Sequence, residues 1–113
     1  MSLFGIESED DCRKEIDALL ELHDAARRAM NKETIAVLKS ELGRHCKKGR
    51  SAPEKMSSVE QRYFWPAVKE ARAVAPNLGS RKTWSGGLDE IEHKLRSNRP
   101  RLETVRKAKR WWW

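Results

Sequence analysis

The chain has 113 residues, 38% hydrophobic and 36% charged, with 24 Lys and Arg against 17 Asp and Glu and a formal net charge of +7. That length makes one domain around one modest core. The longest apolar run, Phe64-Trp65-Pro66-Ala67-Val68, falls far short of the ~20 residues that span a bilayer. The opening MSLFGIESEDD lacks the basic start and apolar stretch of a secretory signal, so a cytoplasmic protein is expected, with no role in a membrane.

Periodicity and caps predict an all-α fold, a small bundle of four to five helices that starts with an antiparallel hairpin. The first helix is expected from about Glu9 to Met30. Its acids crowd the first turns, where the helix dipole favours them. Ile16, Leu19, Leu20, His23, Ala26 and Met30 repeat at helical spacing and form one stripe. Asn31 is a good cap for a second helix, Lys32 to about Cys46, with the stripe Ile35, Leu38, Leu42 and His45. So short a connection folds the two helices back on each other.

Residues 47–56 (KKGRSAPEKM) carry Gly49 and Pro53 without a period and read as a basic linker. Ser57 and Glu60 then fit a capping box. A third helix, Ser58 to Ala75, keeps one apolar phase through Phe64, Ala67, Val68, Ala71 and Val74, so Pro66 is expected to kink it rather than end it. Three consecutive aromatics, Tyr63, Phe64 and Trp65, lie about 100° apart around a helix. One fills the core, and Tyr63 or Trp65 stays near the surface. Residues 80–87 read as a polar loop, with Ser85 as the cap of a fourth helix whose stripe is Trp84, Leu88, Ile91 and Leu95. Asn98-Arg99-Pro100 ends it. Residues 1–97 thus form the bundle domain, and residues 98–113 a basic, Trp-capped tail with a possible short fifth helix on Leu102, Val105 and Ala108.

No catalytic arrangement stands out, and an enzyme is not expected. Asp and Glu in helix first turns are explained by the dipole, and Gly86-Gly87 is not a phosphate loop. Cys12, His45, Cys46 and His93 have the ligand types for zinc but not the short spacings that chelate it, so neither metal nor cofactor is expected. Cys12 and Cys46 stand close enough along the hairpin to pair, although reduced thiols suit a cytosolic setting better.

Charge is the strongest pointer to function. Residues 1–30 hold eight acids and four bases, while the remainder holds 20 bases and nine acids. The tail, Lys94 to Trp113, sets eight bases against the single acid Glu103. Cations attract phosphate and indoles stack on bases. The chain is therefore expected to be a non-enzymatic module that binds nucleic-acid backbone without sequence preference, as an accessory subunit of a nucleoprotein or defence complex. The candidate contacts are Arg44, Lys47, Lys48 and Arg50 around the linker, Arg81 and Lys82 before the fourth helix, and Arg99, Arg101, Arg106, Lys107, Lys109 and Arg110 in the tail. Linker and Arg81-Lys82 loop are expected to share one end of the bundle. The alternative is a small protein–protein effector or inhibitor, of the phage or toxin–antitoxin sort. Its contacts to a protein partner would be Trp65 and the tail's Trp111, Trp112 and Trp113.

Overall fold

A computed structural model describes residues 2–101, and all regular structure among them is helical. The expected fifth helix, the cations Arg106, Lys107, Lys109 and Arg110, and Trp111 to Trp113 lie outside the described residues.

Helix α1 spans Glu9–Ala29. Ser8 caps it by accepting the Asp11 N–H, and Glu9, Asp10 and Asp11 occupy the positive end of its dipole. Met30 turns left-handed with φ 47°, and Asn31 accepts the Thr34 N–H to start α2. The hairpin turn therefore needs only these two residues. Helix α2 spans Lys32–Ser51 and so runs a full turn beyond the expected end at Cys46. Gly49 is tolerated there because tertiary contact on its bare backbone outweighs a propensity cost of about 1 kcal/mol. The expected linker is thus half helix, and only a 3-10 turn at Pro53–Lys55 separates α2 from the next segment.

The capping box forms as expected: the Ser57 N–H donates to Glu60 Oε1 and the Glu60 N–H donates to Ser57 Oγ. A π turn at Glu60–Phe64 follows, with the Trp65 N–H reaching back to the Glu60 carbonyl, and leads into α3, Trp65–Val74. Pro66 is the physical cause. It offers no N–H, and its ring would press on the carbonyl four residues earlier, so a wider turn relieves the clash. Phe64 is fully buried, and Tyr63 and Trp65 are half-buried, as three aromatics at 100° must divide. A 3-10 turn at Ala75–Leu78 ends this element.

Another 3-10 turn, Arg81–Thr83, runs into α4, Trp84–Ser97. The polar loop expected over 80–87 is therefore shorter, and Ser85 lies inside the helix rather than capping it. The boundary moves because Trp84 is pulled into the core and its indole N–H donates to the Leu78 carbonyl at 2.9 Å.

The four helices pack as a closed square: α1 against α2 and α4, and α3 against α2 and α4. Ile16, Leu38, Leu42, Phe64, Leu88, Ile91 and Leu95 meet inside without solvent exposure. Each such burial contributes roughly 1.5–3 kcal/mol. His23 joins them from the expected stripe, and both its ring nitrogens are engaged, by Asp24 and by the Leu88 carbonyl.

One element of the fold carries no helix at all. Residues 3–6 cross the bundle as a strap whose Leu3, Phe4 and Ile6 N–H groups all donate to the buried Glu60 carboxylate. Ile6 enters the core, and the Phe4 ring packs edge-on against His45 and Phe64.

Candidate functional site

Helices α2 and α3 run antiparallel, so Arg50 lies by Trp65 and Gly43 by Arg72. The seam between them opens to solvent as a groove of about 720 Å³. It follows α3 from Trp65 to Pro76, about 16 Å of rise. Lys47 and Arg50 stand on one bank, and Lys69 and Arg72 on the other. Both pairs are spaced i, i+3, which places each pair on one helix face. Among the described residues, no carboxylate lines the groove.

Small residues make the opening. Gly43 leaves room beside the Arg72 guanidinium, whose Nε is 3.5 Å from where a β-carbon would stand. At Gly49 a β-carbon would fall 2.3 Å from Trp65 Cζ3, so the indole rests directly on α2 backbone. Pro66 and the π turn fix the backbone on its other side. Lys69 Nζ lies 5.9 Å from the indole centroid, within cation–π range.

Five arginines elsewhere in the bundle are neutralised at home. Arg13 pairs with Asp10, Arg27 with Asp89, Arg44 with Glu41, Arg96 with Glu92, and Arg99 with Asp17. The Arg44 hydrogen bond holds the Glu41 carboxyl below its usual value, and that of Arg99 does the same to Asp17. Among the described residues, no ion pair within the chain engages Lys47, Arg50, Lys69 or Arg72.

The structure therefore regroups the residues singled out from the sequence. Lys47, Arg50 and Trp65 come together. Lys48 leaves them and reaches over the Phe4 ring, 5.7 Å from its centroid. Arg81 covers Trp84, at 5.8 Å, and Lys82 is exposed beside it. These two lie at the opposite end of the bundle from residues 52–56, because α3 carries the chain the full length between them; the expected shared end does not form. Arg101 is exposed next to the end of α4. Lys69 and Arg72 were not singled out, since two cations on an amphipathic helix read as an ordinary solvated face. Only the antiparallel register with α2 reveals them.

Cys12 and Cys46 are both buried and free. Burial, then the nearby Glu60, Glu9 and Glu15, push the Cys12 thiol up to about 12. A thiol-specific reagent at pH 8 is expected to leave Cys12 unmodified in the native protein and to label it in denaturant, as peptide mass spectrometry would report. Among the described residues, no three His, Cys, Asp or Glu side chains come together to hold a metal. No helix among them is long and apolar enough to cross a membrane. Comparison with protein-family models, with curated proteins and with solved structures finds no match to this chain.

Proposed function

We propose that this protein is a non-enzymatic module that binds nucleic-acid backbone through the α2–α3 groove. The observation that carries the reading is the set of four cations, Lys47, Arg50, Lys69 and Arg72, facing one cleft that, among the described residues, no carboxylate lines. Phosphates entering it meet charge that no ion pair among the described residues has cancelled, and they displace condensed counterions as they bind. The contacts are to backbone and carry no sequence information. The acidic helix α1 packs on α2 and α4, and none of its carboxylates lines the groove.

The test is anisotropy of a labelled random oligonucleotide across a salt series. Four neutralised phosphates predict a log–log slope of about −3. The double variant Lys47→Glu/Arg72→Glu is expected to lose on the order of 100-fold in affinity at low salt and to flatten that slope by about 2. Lys82→Glu, at a residue that does not line the groove, is expected to change affinity by no more than a few-fold. A groove variant that binds like wild type overturns the reading.

A further inference from the structure

We infer that the groove takes a single strand rather than a duplex, with one base laid on the Trp65 indole while neighbouring phosphates meet the two cationic banks. This rests on the reading of the groove as a backbone site and names the form of nucleic acid that fits it.

The first argument is what the site contains besides charge. A site for duplex backbone needs only cations and hydrogen-bond donors, because the bases of a duplex are stacked on one another and unavailable. Here the wall of the groove also holds a half-buried indole. Trp65 is not free to withdraw from it. Gly49 lets Cζ3 and Cε3 of the ring rest against α2, and the π turn with Pro66 sets the backbone from which the side chain springs. An aromatic surface held still in advance loses little entropy when a base stacks on it.

The second argument is spacing. Lys69 stands one helical turn beyond Trp65, and its ammonium lies 5.9 Å from the indole centroid. Charge and π surface are thus within one nucleotide of each other. A phosphate held by Lys69 puts an adjoining base within reach of Trp65, with the next phosphates falling to Arg72 or across to Lys47 and Arg50. That pairing of a cationic track with an aromatic platform is how single strands are bound without sequence preference.

The third is width. Packed helices stand about 8–10 Å apart. At that axial distance the helices touch, so the groove is a furrow along their seam that one strand can follow, whereas a wider duplex rests on its rim and touches the outer cations.

The experiment uses the full chain, a labelled 12-nucleotide single strand and its blunt duplex at about 50 mM salt, read by anisotropy of the label. Wild type is expected to prefer the single strand by roughly 5- to 100-fold, the span that one base stacked on an aromatic ring gives. Trp65→Ala is expected to abolish that preference by lowering single-strand affinity toward that for the duplex. Trp65→Phe, which keeps an aromatic face and guards against a folding defect, is expected to restore part of it. Circular dichroism confirms that each variant is helical. Equal affinity for the two forms, or a preference that survives Trp65→Ala, overturns the single-strand inference while leaving the backbone reading intact. Binding that is indifferent to Lys47→Glu/Arg72→Glu overturns both. Competition by polyglutamate as effective as that by unlabelled single strand overturns both as well, and assigns the groove to an acidic polypeptide.

Discussion

Replacing Glu60 by Gln is expected to destabilise the protein by about 2–4 kcal/mol, read as a drop in the urea midpoint with little change in slope. Glu60 is fully buried, yet it accepts hydrogen bonds from the backbone N–H groups of Leu3, Phe4, Ile6 and Ser57. Glutamine keeps one acceptor oxygen and turns an NH₂ toward donors that need an acceptor. The strap over residues 3–6 then loses its anchor, and Ile6 and Phe4 lose their seats in the core.

The same site sets a pH dependence. Burial raises the Glu60 pKa, but the four backbone donors outweigh it and hold the carboxyl below its ordinary 4.5. The ionised form is therefore favoured by folding. Its contribution is complete above about 4.5 and is lost as pH falls through the depressed folded value. His45 acts at a higher pH. Burial, then Arg44, lower its pKa below 6.5 against the opposing pull of Glu41, so folding favours the neutral ring and stability declines once pH falls below 6.5. Asp17 and Glu41, also lowered, share the acid window with Glu60. All three other groups persist in Glu60→Gln. The difference between the two stability curves should therefore shrink below about pH 4.5 and stay constant above it. A difference that is flat across the whole range would show that the carboxylate charge is not what holds the strap.

The second large effect is expected at Gly49. An alanine in a helix normally stabilises by up to about 1 kcal/mol relative to glycine. At Gly49 the added β-carbon meets the rigid indole of Trp65 at 2.3 Å, so the ring must leave its seat, at a cost of about 1–3 kcal/mol. Gly49→Ala should destabilise on balance and weaken single-strand binding. Gly86→Ala supplies the contrast, since nothing lies within 4 Å of its β-carbon and it sits exposed in α4. That substitution should stabilise. Paired thermal melts check both signs, and a gain at Gly49 would mean the indole is not seated on α2.

These two residues also show what the sequence could tell. The helices, their stripes and the Ser57–Glu60 box are local patterns, legible in spacing alone. Glu60 at N3 of a capping box was visible, but its second role was not, because the strap that binds it lies more than fifty residues earlier in the chain. Gly49 looked like a helix breaker. It is a contact residue, and only its neighbour across the seam explains why no side chain stands there. The groove was hidden for the same reason: Lys47 and Arg50 drew notice for sitting in a charge run, while Lys69 and Arg72 acquire meaning from the register of α3 on α2.

The segregation of acidic α1 from the α2–α3 groove has a kinetic consequence for the proposed binding. Charges of opposite sign on separate parts of a small body make a dipole, and the field of a polyanion exerts a torque on it during approach. Under the proposed function the molecule turns its groove forward before contact, so fewer collisions are wasted on the wrong face. At physiological ionic strength that guidance fades beyond about 8 Å. It therefore acts over the last stretch of diffusion, where orientation decides whether an encounter becomes a complex.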